Sequence, residues 1–190
     1  FVYRRGADPV LGVEMASTGE VACFGVNKEE AFLKSLLSTG FKMPQKNILL
    51  TAQDSMLDDI VPVAHDLTQL GYNVFATEST HSYLHDKGVQ ATLLSFPGEI
   101  VSVSADCIDT IREKKLDLVI NLPTHDGKNL KDNYTIRRTA VDFGIPLLTN
   151  FNLVKLFTSA MVQDKKSKLV GLDPNSLFDY YEREKPEEAW

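Results

Sequence analysis

Four short stretches carry side chains able to hold a small anion or an amide. Thr77-Glu78-Ser79-Thr80 places three hydroxyls where an apolar segment gives way to a helical one. Hydroxyls and free backbone N–H groups at a helix start can hold phosphate or carboxylate, helped by the positive end of the helix dipole. The same place suits a plain cap by Ser79 or Thr80, and the two roles are compatible because different donors serve each. Asn121-Leu122-Pro123-Thr124 follows the most apolar run in the chain. A polar residue there either ties down a loop or meets a ligand. Asp132-Asn133-Tyr134 opens a further helix, with Asp132 as its expected cap and Asn133 offering two donors and an acceptor. Arg137 and Arg138 follow about one turn later. They are placed either to pair with a carboxylate ligand or to hold loops, and at least one is expected to be structural.

These residues do not assemble a catalytic constellation. His65, His81, His85 and His125 lack metal-ligand spacing, and the pair His81 and His85 has no evident third partner. The dinucleotide glycine fingerprint, the phosphate-loop lysine motif and the nucleophile elbow are all missing from the sequence. Cys23 and Cys107 match neither a disulfide framework nor a zinc site and are expected as reduced thiols.

The elements that must position the candidates begin near residue 47. Ile48-Leu49-Leu50 reads as a strand, followed by a helical stripe from Asp54 to Leu70 with Pro62 inside it. Tyr72–Ala76, Val89–Leu94, Leu116–Asn121 and Pro146–Thr149 read as further strands. Helices are expected from Thr77 to about Lys87, over Ala105–Lys114, over Tyr134–Phe143 and over Leu153–Val162. Alternation of this kind implies an α/β three-layer sandwich around a five-stranded, mainly parallel sheet. Right-handed crossovers put all carboxyl ends on one edge, where ligands of such sheets collect. That edge is expected to hold Thr77–Thr80, Phe96–Glu99, Asn121–Thr124 and Asn150.

The first 46 residues break the pattern. Val10–Met15 and Val21–Phe24 read as two strands and Lys28–Leu37 as a helix, an ββα segment too small for its own core. It is expected to be the end of a preceding domain and its linker (1–46), followed by a ligand-binding domain (47–165) and a charged tail (166–190). The start, Phe1-Val2-Tyr3-Arg4-Arg5, resembles neither a signal peptide nor an initiating methionine, so a longer parent is expected. Of the 190 residues, 43% are hydrophobic and 24% charged, ordinary globular values that exclude wholesale disorder. The net charge of −6 argues against a nucleic-acid backbone as partner. No run approaches the roughly 20 apolar residues of a membrane span.

Taken together, Phe75-Ala76-Thr77-Glu78-Ser79-Thr80, Val119-Ile120-Asn121-Leu122-Pro123, Asp132–Ala140 and Gly144–Phe151 resemble the regulatory domain that closes carbamoyl-phosphate synthases, which has the methylglyoxal-synthase-like fold with flavodoxin-like strand order. Glu14–Val21 and Leu37–Phe41 are similar to the segment that leads into it. Within the family the likeness is nearest to the mitochondrial ammonia-type branch and its glutamine-using fish relatives. The resemblance implies binding of the activator N-acetyl-L-glutamate by Thr77, Thr80, Phe96, Asn121, Thr124 and Asn133, with Arg137 and Arg138 in support. At positions 96 and 124 the family pattern has Trp and Asn. It further implies a non-catalytic module of a urea-cycle ligase in the mitochondrial matrix, whose partners are the remaining domains of the same polypeptide. The parent's ATP and magnesium would be handled outside this segment. Two alternatives stand beside it: a nucleotide-regulated domain of the pyrimidine-pathway relatives, and a lyase of methylglyoxal-synthase type, for which His125-Asp126 is a faint echo.

Overall fold

The computed structural model describes residues 10, 20–96, 104–122, 130–167, 176, 178, 179 and 181. In chain order the elements are α1 (Lys28–Ser38), β1 (Asn47–Ala52), α2 (Leu57–Gln69), β2 (Asn73–Thr77), α3 (Glu78–Asp86), β3 (Thr92–Ser95), β4 (Ala105–Asp106), α4 (Cys107–Arg112), β5 (Leu118–Leu122), α5 (Leu130–Asp142), β6 (Leu147–Leu148) and α6 (Phe151–Ser167). A 3₁₀ turn, Asp54–Met56, leads into α2.

All pairings are parallel, and the strand order is β4-β3-β2-β1-β5-β6. The sheet is the doubly wound, helix-covered form expected, with six strands where the sequence suggested five. β1 lies between β2 and β5 rather than in the flavodoxin-like order expected, in which it would lie between β2 and β3. The extra strand is the two-residue β4, too short to leave a periodic signal in sequence. The chain steps outward from β1 to β4, then returns to β5 beside β1. This reversal makes the carboxyl ends of β1 and β5 a topological switch point, the usual ligand crevice of such sheets.

Burial on both faces explains the strands' apolar character. Ile48, Leu50 and Ala52 pack with Ile60, Leu67, Leu84 and Phe157 under α2, α3 and α6. The alternate residues Leu49 and Val119 pack with Ile111, Ile136 and Ala140 under α4 and α5. Each fully buried Leu or Ile of this kind contributes about 1.5–3 kcal/mol relative to exposure. Two helices end as their glycines predict. Gly71 (φ 94) and Gly144 (φ 70) take the left-handed conformation that stops α2 and α5. The residues after them bond back to Leu67 and Ala140 at 3.1 and 2.8 Å.

Several expectations are corrected. α2 starts at Leu57 and keeps Pro62 inside it. α5 starts at Leu130, so Asp132 lies in its first turn and is not its cap. Residues 20–25 form no strand, and Val21 and Phe24 are half-exposed. An isolated two-stranded piece has too little to pack against to stay formed. The expected strand Val10–Met15 lies outside the described residues, apart from Val10. α1, by contrast, is integrated: Asn27 caps it by accepting from Glu30 N at 2.9 Å, and it packs along α6. Leu33 is buried, and the Phe41 ring lies 5.9 Å from that of Phe157.

Candidate functional site

Strand register sets polar residues side by side at the carboxyl edge. Leu50 is level with Ala76, Thr51 with Asn121, and Ile120 with Leu148. The next residues along β2, β1, β5 and past β6 are therefore Thr77, Thr51, Asn121 and Thr149. Strand alternation turns all four toward the α4–α5 face, the side of Leu49, Phe75 and Val119. All four are buried. A row of polar side chains across four strands is expensive to bury unless its members are hydrogen-bonded.

They are bonded. Thr77 Oγ1 donates to Thr51 Oγ1 at 3.0 Å. Asn121 Nδ2 donates to Asn133 Oδ1 at 2.8 Å, and Arg137 Nη1 donates to Asn121 Oδ1 at 2.8 Å. Asn133 and Arg137 sit four residues apart on the buried face of α5, which is why one helix can deliver both to Asn121. Arg137 as a whole is 3% exposed.

α3 begins directly at the end of β2. Thr77 occupies its N-cap position, but its side chain makes no capping bond, and its hydroxyl donates instead to Thr51. Thr80 is fully buried and faces β1: its hydroxyl donates to Ala52 O at 3.2 Å and accepts from Ala52 N at 3.1 Å. The cap expected from Ser79 or Thr80 is therefore not made by either. With both threonine protons directed inward, backbone N–H groups of the first turn of α3 are the donors suited to an anion on this side.

The other sequence-derived candidates divide. Phe96 follows β3 and is buried in the α4–α5 cluster with Leu94 and Cys107, packed as core. Arg138 faces away from the edge and pairs with Asp142, donating from Nε to Oδ2 at 3.0 Å and from Nη2 to Oδ1. That hydrogen bond holds the Asp142 carboxyl below its ordinary range. Thr124, His125, Asp126 and residues 97–99 lie outside the described residues. Thr51 was not anticipated. Its one signal is a hydroxyl residue at the end of the apolar run Ile48-Leu49-Leu50, level with Asn121 only once the register is known.

Cys107, which opens α4 directly after β4, is fully buried. Desolvation, then the charge of Asp106, pushes its thiol from an ordinary 9.0 to about 12. The rings of His81 and His85 stack at 6.4 Å on α3. Among the described residues no group of three or more His, Cys, Asp or Glu is placed to hold a metal. No helix among them is long and apolar enough to cross a membrane. A depression of about 930 Å³ lies at the opposite edge, among Tyr72, Asn73, His85, Gln90 and Thr92. It is at the amino ends of β2 and β3 and includes none of the candidates.

Residues 59–149 match the model of the MGS-like domain. The chain is 50% identical over 179 residues to the mitochondrial carbamoyl-phosphate synthase (ammonia) of Homo sapiens, covering 93% of this chain and 12% of that protein. It is 42% identical over 167 residues to the multifunctional protein pyr1-3 of Dictyostelium discoideum, covering 85% of this chain and 8% of that one. Methylglyoxal synthase from Elizabethkingia anophelis NUHP1 aligns with a TM-score of 0.42 and 19% identity, over 77% of this chain and 99% of that one. The chain thus spans about an eighth or less of the length of the two relatives.

Proposed function

This chain belongs to the MGS-like domain family, in the form found in carbamoyl-phosphate synthases, and from that we propose that it is an allosteric module that binds N-acetyl-L-glutamate. The observation that carries the reading is the buried polar row at the carboxyl edge, Thr77 with Thr51 and Asn121 with Asn133 and Arg137. Of these residues the family resemblance assigns Thr77, Asn121 and Asn133 to the activator and Arg137 to its support. A ligand with two carboxylates and an amide needs N–H donors at its acidic ends and an apolar wall between. The first turn of α3 and the Asn133 amide are the donors. No general acid or nucleophile is needed, because regulation follows from differential affinity for two states of the parent.

On this reading the parent forms carbamoyl phosphate for the urea cycle in the mitochondrial matrix, and its ATP and magnesium are bound elsewhere in the polypeptide. The remaining domains of that polypeptide are the module's partners. Residues 47–165 are the regulatory domain, with 1–46 joining it to what precedes and 166–190 trailing it.

Calorimetric titration of the 190-residue chain with N-acetyl-L-glutamate, uridine monophosphate and inorganic phosphate tests the proposal. Saturable binding of the first alone is expected. Binding of uridine monophosphate instead would make this a nucleotide-regulated module. Turnover of dihydroxyacetone phosphate above blank would make it a lyase.

A further inference from the structure

The stretch between α1 and β1, expected as a linker, is fastened to the sheet and to α6. Phe41 N donates to Leu36 O at 3.0 Å as α1 ends, and the Phe41 ring meets that of Phe157. Pro44 is buried, and its carbonyl accepts from the Tyr72 hydroxyl at 3.3 Å. The backbone N–H groups of Lys46 and Asn47 both donate to Asp117 Oδ2, at 2.8 and 2.7 Å. Lys46 O accepts from Asn73 N at 2.8 Å. A flexible link would leave these backbone groups to water. α1 is also held at its start and along its side. Glu30 Oε2 accepts from Val26 N at 2.9 Å, and Glu30 Oε1 pairs with Lys34 at 2.6 Å. A Cβ on Gly25 would lie 2.4 Å from Ala31 N, so the chain folds back here more closely than a side chain allows. Phe32 and Leu36 pack against the core that holds Val154 and Phe157 of α6, and Ser159 Oγ donates to Glu29 Oε1 at 3.4 Å. α6 itself begins at the ligand edge, where Asn150 Oδ1 accepts from Leu153 N at 3.2 Å. Its 17 residues, roughly 25 Å, carry it toward the opposite edge. There burial, then the charge of Asp164, raises the Tyr72 hydroxyl above its ordinary pKa.

We propose that α6 and α1 are the output of the module: a change at the carboxyl edge passes along α6 to α1, which moves with the sheet as one body. The polypeptide then swivels N-terminal to α1 and not within residues 41–46. The part of the parent that precedes α1 is what the effector repositions. For the identity of the effector this rests on the proposed function, whereas the single body is a property of the ligand-free chain. Sequence spacing gives no sign of it, because Asp117, Tyr72 and Phe157 reach the 41–46 stretch only through the fold.

NMR and hydrogen exchange of the whole chain test both parts. Backbone order parameters of Phe41, Lys42, Gln45 and Lys46 should stay above about 0.7, close to those of β1. Lower values put the swivel in that stretch and overturn the proposal. Asn150→Ala removes a bond from the first turn of α6 and should speed amide exchange in α6 and in residues 31–36 alike, by about fivefold. Exchange in α1 that stays at the wild-type rate means two bodies and overturns it too. N-acetyl-L-glutamate should shift the amide signals of residues 31–36 with the same midpoint as those of the first turn of α3. Binding that leaves the α1 signals unmoved refutes the output role. Should the alanine variant not fold, the wild-type order parameters and titration still decide. Failure of wild type to bind N-acetyl-L-glutamate refutes the functional reading, while the order parameters and exchange rates still judge the single body.

Discussion

Thr80→Val separates stability from binding at the α3 end of the site. Valine keeps the shape of threonine but removes the hydroxyl, so the change creates no cavity. The hydroxyl is fully buried and closes a two-way contact with Ala52, accepting from its N–H and donating to its carbonyl. Removing it leaves a buried N–H without its acceptor, which costs about 1–3 kcal/mol. For a chain of this length each kcal/mol lowers the melting temperature by roughly 2–4 °C, so a central value of about 2 kcal/mol means roughly 4–8 °C. In urea, with a slope of about 2 kcal/mol per molar, the midpoint should fall by about 1 M with the slope unchanged. Thr80→Ser keeps the hydroxyl and loses one methyl, about 0.8 kcal/mol. The valine variant should therefore be the less stable of the two. If it unfolds within 0.5 kcal/mol of wild type while the serine variant is clearly weaker, the hydroxyl is not shared with β1, and the account of why α3 is fixed at this edge fails. Ligand titrations of this variant belong at a temperature where it is fully folded.

Asn133→Ala should weaken N-acetyl-L-glutamate binding by about 1–3 kcal/mol, a rise of roughly fivefold to 150-fold in the calorimetric dissociation constant. Thr124→Asn, which restores the family residue, should tighten binding up to tenfold in the same titration, whereas Phe96→Trp must fit an indole into a packed cluster and should destabilise the fold by about 1–3 kcal/mol in urea. Cys107, with its thiol raised to about 12, should resist iodoacetamide at pH 8 until the chain unfolds, as mass spectrometry of the labelled protein would reveal. Because the folded value exceeds the ordinary one of 9.0, the stability associated with this thiol is fully present below about pH 9 and lost as pH rises toward 12, at about 1.4 kcal/mol per unit; Cys107→Ala should flatten that part of the denaturation profile. Arg138→Gln should raise the Asp142 titration midpoint to its ordinary range, since the depressed carboxyl contributes stability above that range and loses it as pH falls; carbon-detected NMR of Asp142 reads the shift.

The alternation of apolar runs and amphipathic stripes made the parallel sheet legible from Asn47 onward, since strands buried on both faces must be continuously apolar and helices covering them must be one-sided. The same alternation marked the carboxyl edge, and Thr77, Asn121 and Asn133 were found there because strand ends and helix starts are local features. Thr51 was missed because its importance comes from register, being level with Asn121 on a strand some seventy residues away in sequence. The two-residue β4 and the early start of α5 were likewise beyond local pattern, and Asp132 lost its expected cap role for that reason. Sequence also could not divide the labour between the paired arginines. Arg137 and Arg138 are chemically identical neighbours, and it is the hundred-degree step of the helix that sends one guanidinium into the buried row and the other to Asp142 on the outer side. Residue types and spacing thus determined which chemistry was at hand. Which hydroxyl proton, amide end or guanidinium faces the edge was decided only when the chain closed, because hydrogen-bond direction belongs to pairs that folding alone brings together.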